Sequence, residues 1–348
     1  MRPELVHDGS TDLLIPRPAP GEEWNPETIH THFFECAVPE AGISIFTYIR
    51  YLPAFGVCQG GVLIYQGLDN VVLTDLAFHD YRLAMPWPTV EGNSFTTANG
   101  LRIDFVEPGR IAHITFRSAD GSTSIDVMAS ALTPLAVRGH VLPDEGVNLA
   151  ATSGGSEQFL RYTGELVLNG ERYDVDCNWI RDRSWRQVRR ESVESSLHPP
   201  LCWTPAYFDE DFAFNQMGFE SLDTDPPWKH AFDVPEGTPN HVFAWVSRKG
   251  EVRGVKRIHR RETERHPIFL HPLKMELEIE DDHGEVSFVR GEAIAFAPLP
   301  QWYNVSTHES IMRWEDDRGK IAYGPAQTIW NRKAQQAMRH ARSLALPT

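Results

Sequence analysis

Residues 161–190 read RYTGELVLNGERYDVDCNWIRDRSWRQVRR, and this stretch decides the fold. Two strand-like runs flank Asn169-Gly170, a pair whose tolerance of positive φ at both turn positions makes it a strong hairpin signal. The second run, Tyr173 to Trp179, leads into a polar block, Arg181-Asp182-Arg183-Ser184, closed by Trp185. A strand that ends in ionisable groups beside an indole can aim acid/base chemistry into an apolar cavity. The same charges also read as an Arg-Asp pair that locks the strand end.

Outward from the hairpin, short runs with period-two alternation follow one another between Gly, Pro, Asn and Asp. Before it come Ile43–Leu52, Val57–Tyr65, Asn70–Phe78, Ser94–Thr97 with Leu101–Glu107, Arg110–Arg117 and Ser122–Leu132. After it come Cys202–Phe208, Phe212–Phe219, His241–Ser247, Glu251–His259, Pro267–Glu280, Glu285–Ala297 and Ser310–Glu315. Strands this close, without helical periodicity between them, mean antiparallel β as a barrel or curved sandwich. Val147–Gln158, with its small residues, reads as a flexible connection before the hairpin, and Ser192–Pro200 as a domain break.

Three parts are expected: an extended arm over 1–27, a β-domain over 28–194 and a second over 195–348. Prolines at 16, 18, 20 and 26 make the arm irregular, to lie across a domain or a partner subunit. Ile329, Trp330, Ala334, Ala337, Met338, Ala341 and Leu344 recur at helical spacing and predict a C-terminal helix.

With 348 residues the chain can bury a large core, and 41% apolar content is ordinary for a globular protein. A net charge of −15 without a long basic stripe argues against nucleic acid as partner. The basic segment Arg248–Arg265 is interrupted by Glu251, Glu262 and Glu264 and reads as a solvated face. Cys36, Cys58, Cys177 and Cys202 lack CxxC spacing and suit buried thiols in a cytoplasmic setting. No export signal is read at the N-terminus, and no run is long enough for a membrane span.

Residues 164–185, with Gly-x-Leu, Asn-Gly-Glu-x-Tyr-x-Val and Arg-Asp-Arg-Ser-Trp, resemble the Arg-Asp-His-Ser-Trp block of the carotenoid 1,2-hydratase (hydroxyneurosporene synthase) superfamily. Further likeness lies in Glu107-Pro-Gly, in the Asp-Gly-Ser-Thr-Ser-Ile-Asp run from Asp120, in Glu157-Gln158 and in Tyr323-Gly324, spanning roughly residues 30–330. The resemblance implies two lipocalin-like β-barrels or curved sheets in one chain, and cofactor-free acid/base work on apolar molecules. It also implies a His-x-Trp pair and a later Tyr-x-Asp pair as catalytic set. Arg183 and Trp185 stand at the first pair, Tyr207 and Asp209 at the second. The departure at 183 matters, because a guanidinium does not act as a base near neutral pH.

The catalytic set expected is therefore Asp182, Arg183, Trp185, Tyr207 and Asp209. Asp182, with Asp209 as the alternative, moves the proton, and Arg183 holds a polar substituent of the substrate. Arg181, Trp179, Trp203, His79 and Tyr81 are expected to line the substrate site. His30 and His32, with Glu35 near, have the spacing that begins a metal site, but no further ligands can be named, so no metal is expected. His259, His266 and His271 read as surface or turn residues. No dinucleotide fingerprint, phosphate loop or nucleophile elbow appears, and no cofactor is expected. Two readings stay open. One is a lyase or isomerase performing hydration, dehydration or cyclisation on a hydrophobic isoprenoid, steroid-like or phenolic molecule. The other is a lipocalin-like protein that binds such a ligand without changing it. A homodimer formed through the arm or through exposed strand edges is a candidate arrangement.

Overall fold

A computed structural model describes residues 6–138, 153–189, 199–219, 241–302 and 305–331, with the isolated positions 336 and 340. Contacts divide it into two compact units. One comprises the chain up to Gly67, Thr74–Arg189 and Gly250–Val252; the other comprises Leu68–Leu73, residues 199–249 and Arg253 onward.

The first unit carries β1 (Val6–His7), β2 (Thr28–Val38), β3 (Ile43–Leu52), β4 (Val57–Gln66), β5 (Phe78–Pro86), β6 (Thr89–Glu91) and β7 (Ser94–Thr96). It continues with β8 (Arg102–Glu107), β9 (Ile111–Arg117), β10 (Ser124–Ala131), β11 (Leu135–Val137), β12 (Gly154–Leu168) and β13 (Glu171–Val188). They form one curled sheet in the order β5-β4-β3-β2-β13-β12-β10-β9-β8-β7-β6, with β11 bridging β1 and β12. At its centre β12 and β13 pair from Gly154 opposite Trp185 to Leu168 opposite Glu171. Asn169 and Gly170 turn between them at φ 52° and 87°, as the sequence predicts.

The second unit is a closed up-and-down barrel of β14 (Leu201–Asp209), β15 (Phe212–Gly218), β16 (His241–Arg248), β17 (Glu251–Arg265), β18 (Pro272–Asp281), β19 (Val286–Trp302), β20 (Val305–Asp316) and β21 (Ile321–Asn331), each strand beside its sequence neighbour. Alternation fills it: Phe212, Phe214, Val246, Leu277, Ile279, Met312 and Trp314 are buried together. Outward residues of β17 meet acids of β18, as in Arg257–Glu278 and Arg261–Glu276, but the basic segment is not wholly a solvated face, since Arg248 and Arg260 are buried and paired with Asp281 and Glu262. The chain is thus mostly β, with two lipocalin-like units. Among the described residues no helix is long and apolar enough to cross a membrane, which says nothing of β-barrels.

Four expectations change. Ile329 and Trp330 close β21 as strand rather than open a helix; of the rest of that segment only Gln336 and His340 are described, both helical. Asn70–Phe78 is not a strand: Leu73–Asp75 is a 3-10 turn, and the Asn70 amide donates to the Phe296 carbonyl at 2.8 Å. The arm is not wholly irregular, since β1 pairs with β11 and Gly9–Leu13 forms a 3-10 turn before Pro16. The Val147–Gln158 connection, expected to be flexible, is in part strand. Residues 147–152 lie outside the described part, but Gly154–Gln158 is strand. A Cβ on Gly154 would stand 2.3 Å from the Trp185 ring, so this small residue admits an indole. Most of Ser192–Pro200 also lies outside the described residues.

Gly164 sits at φ 149°, where a Cβ would approach the Asp126 carbonyl oxygen to 2.1 Å. Gly164→Ala should lower stability by about 1–3 kcal/mol, read as a lower denaturant midpoint at unchanged slope. An unmoved midpoint would show that the backbone has room there.

Candidate functional site

Successive residues of a strand face opposite ways, and β13 uses this to separate its charges. Arg181 and Arg183 turn to the face crossed by residues 8–16. Arg181 is buried and forks onto Asp12, with Nη1 donating to Oδ1 at 2.7 Å and Nη2 to Oδ2 at 3.0 Å, while its Nε donates to Gln158. Asp12 also accepts from the Gly109 amide at 2.6 Å. Arg183 donates to the carbonyls of Thr31 at 2.7 Å, of Ser184 and of Leu14.

The two histidines of β2 complete the fastening. His30 Nδ1 accepts from the Arg186 amide, so its Nε2 donates to the Pro16 carbonyl, each at 2.8 Å. His32 Nε2 donates to the Asp12 carbonyl, which leaves Nδ1 to accept from the Tyr51 hydroxyl. All four ring nitrogens thus have protein partners. Among the described residues no group of three His, Cys, Asp or Glu is placed to hold a metal. Burial, then the Arg183 charge, pushes both imidazoles down, His30 to about 3, so both are neutral.

Asp182 points to the opposite face. Its carboxylate pairs with Arg138 and accepts from the Thr31 hydroxyl at 3.3 Å. The expected Arg181–Asp182 pair does not form, because neighbours on a strand diverge. Arg181 takes its counter-charge from Asp12 instead, 169 residues away in sequence.

On the Arg183 face a second group of polar atoms stands out. Among the described residues, the buried atoms Arg183 Nε, Trp185 Nε1, Ser156 Oγ and His7 Nε2 have no hydrogen-bond partner. Register brings them together: Ser156 lies opposite Arg183, Gly154 opposite Trp185, and Val137 opposite Ser156. His7 pairs with Leu135 on the same strand as Val137, and its ring meets the Trp185 ring edge-on, centroids 5.4 Å apart. The Arg183 guanidinium carbon is 5.9 Å from the Trp185 ring centre. Burial lowers the Arg183 pKa to about 10, so it keeps its charge at neutral pH. Two of the four groups, Arg183 and Trp185, can only donate. The arrangement suits an acceptor oxygen.

The remaining expected residues lie on other strands or make other contacts. Trp179 is buried and donates to Glu35 at 3.0 Å; beside it a cavity of about 10 Å³, lined by Phe34, Ile114, Val127 and Tyr162, has room for about one water. Trp203, Tyr207 and Asp209 belong to the barrel unit. Trp203 donates to Asn215 at 2.7 Å, and Asp209 caps the β14–β15 turn while pairing with Lys320. Tyr207 is buried, which raises its pKa. On β5, His79 is exposed and Tyr81 buried, so the two do not share an environment. His7, Ser156 and Asp12 escaped the sequence reading because only pairing distant in sequence assembles them. His266 and His271 flank a turn as expected but are buried, not on the surface, and His271 bonds to Thr328 at 2.8 Å and Ser310 at 2.9 Å.

A family profile described as "Domain of unknown function (DUF7064)" matches residues 17–332. The chain belongs to that family. The match takes in the 164–185 motif and every strand except β1 (Val6–His7). No curated protein matches significantly. Among solved structures, the chain is similar to a Nitrosomonas europaea protein described as AttH, with 11% identity and a TM-score of 0.47 over 90% of this chain and 99% of that one. Kievitone hydratase from Nectria haematococca gives 9% identity and a TM-score of 0.49 over 93% of each chain.

Removing the Asp12 carboxylate leaves Arg181 buried without its counter-charge. Asp12→Ala should cost about 3–5 kcal/mol and expose the 8–16 segment to proteases; wild-type resistance in the variant would contradict this. His30 is neutral when folded and protonated when unfolded below its usual 6.5, so the folded state binds fewer protons. Its contribution is present above about 6.5, falls by roughly 1.4 kcal/mol per pH unit as pH drops, and stops falling near 3. Urea unfolding between these limits should show a shallower pH slope for His30→Gln than for wild type; equal slopes would remove His30 from the acid response.

Proposed function

We propose that this chain is a cofactor-independent lyase or isomerase that moves protons on a hydrophobic molecule, isoprenoid, steroid-like or phenolic, whose oxygen is held at Arg183 and Trp185. The observation that carries this reading is the buried cluster of unpartnered polar atoms, Arg183 Nε, Trp185 Nε1, Ser156 Oγ and His7 Nε2, on one face of the sheet. An unsatisfied buried donor costs about 1–3 kcal/mol, so donors left open together favour an occupant that supplies the acceptor. Donors fixed around an oxygen stabilise negative charge as it develops there, in an enolate or phenolate, without having to reorganise. Arg183 brings charge, Trp185 a directed N–H and an apolar wall.

A second reading, ligand binding without turnover, is favoured by Asp182. Its carboxylate is engaged by Arg138 and Thr31 on the far face, which suits a residue that fixes the strand end. In that case Asp182→Asn loses stability and leaves the ligand site intact.

The two readings part on the chemistry of the bound molecule. Incubated with β-hydroxy ketones and with phenols carrying isoprenoid side chains, an enzyme should yield products that differ by one water or are isomeric, by mass spectrometry and chromatography. Arg183→Lys keeps the charge but loses the planar fork, and should weaken binding about tenfold while circular dichroism is unchanged. Ligands that bind and are always recovered intact would leave the binding reading. Binding indifferent to both Arg183→Lys and Trp185→Phe would remove the site.

A further inference from the structure

His7 reaches this site from outside the motif, on a two-residue strand that the arm contributes to the edge of the sheet. Three observations converge on it. Its ring lies against Trp185 at 5.4 Å in an edge-to-face contact. Among the described residues its buried Nε2 has no hydrogen-bond partner. The Gly155 backbone beside the ring favours its protonated form. In a neutral imidazole one ring nitrogen is basic, and the open Nε2 is the one placed to take a proton.

Resting on the reading of the donor cluster above, we propose that His7 is the catalytic base of this site, and that it takes a proton from a phenol or from the carbon beside a carbonyl whose oxygen the Arg183 and Trp185 donors hold. Among the described residues of the cluster no other group fills the role: Arg183 stays protonated, indole N–H only donates, and Ser156 needs a base of its own.

For a β-hydroxy ketone the balance closes with one base. The C–H bond beside the carbonyl breaks, its proton goes to His7 Nε2, and its electron pair forms the enolate held by Arg183 and Trp185. The enolate re-forms the carbonyl and expels the β-hydroxyl, which leaves as water with the proton from His7. The product is the conjugated ketone, and the reverse sequence is hydration. Nothing is oxidised or reduced.

The surroundings suit a base that works near neutrality. Burial lowers the His7 pKa, which keeps the imidazole unprotonated, while the Asp8 charge beside it favours the imidazolium once formed. Other ionisable groups on the neighbouring segments are Arg138 after β11, Glu157 on β12, and Asp182 and Arg183 on β13.

The test uses 4-nitrophenol, whose phenolate absorbs visible light, with the full chain at pH 6. Wild type should bind it saturably with a larger phenolate fraction than free 4-nitrophenol shows. His7→Gln should bind within about threefold of wild type while the bound phenolate fraction falls about tenfold, a readout that a merely structural role would not move. His7→Ala with added imidazole should recover the phenolate signal, which guards against a folding defect. An unchanged phenolate fraction in His7→Gln, or no recovery with imidazole in a folded His7→Ala, overturns the role of His7 and leaves the donor site standing. No saturable binding to wild type, or binding untouched by Arg183→Lys, overturns the donor site and this inference with it.

Discussion

The first unit depends on one buried ion pair, Asp12 with Arg181. A guanidinium brought into a sheet interior without a counter-charge costs several kcal/mol, and the outlay is recovered only when geometry is good and every other donor finds an acceptor. Both conditions hold. The fork is bidentate, the Arg181 Nε meets Gln158, and the second Asp12 oxygen also takes the Gly109 amide. The 8–16 segment is fixed as a consequence, and Arg183, His30 and His32 then fasten onto its carbonyls. One pair at the centre holds the arm, and the arm brings His7 to Trp185.

The same strand end therefore performs two tasks, divided by direction and by atom. Arg183 spends its two Nη groups on backbone carbonyls and leaves Nε open. Asp182, on the other face, is committed to Arg138 and Thr31. Side chains locked by packing and by outer hydrogen bonds are what precise electrostatic work requires, because donors that must reorganise lose most of their advantage. The barrel unit follows a different economy. Aromatic and aliphatic side chains pack together in its core, pairs such as Arg257–Glu278 and Arg261–Glu276 line the outer surfaces of β17 and β18, and Arg248–Asp281 and Arg260–Glu262 are buried.

Much of this architecture was legible in the chain itself. Period-two alternation fixes which side of a strand is apolar, and Asn169-Gly170 fixes the turn and with it the β12–β13 register; both are local effects, decided within a few residues by backbone sterics and hydration. The polar block at 181–185 could likewise be recognised as a place where chemistry is possible. What the tertiary structure alone decided is who meets whom. Arg181 turned to Asp12 rather than to its neighbour, the glycines before β12 proved to be room for an indole, Ile329 and Trp330 joined a barrel strand despite helical spacing, and an unremarked His7 arrived beside Trp185. Those partnerships join residues far apart in the chain, and their free energy comes from burial that exists only once the sheet has closed around them, so no local pattern encodes them.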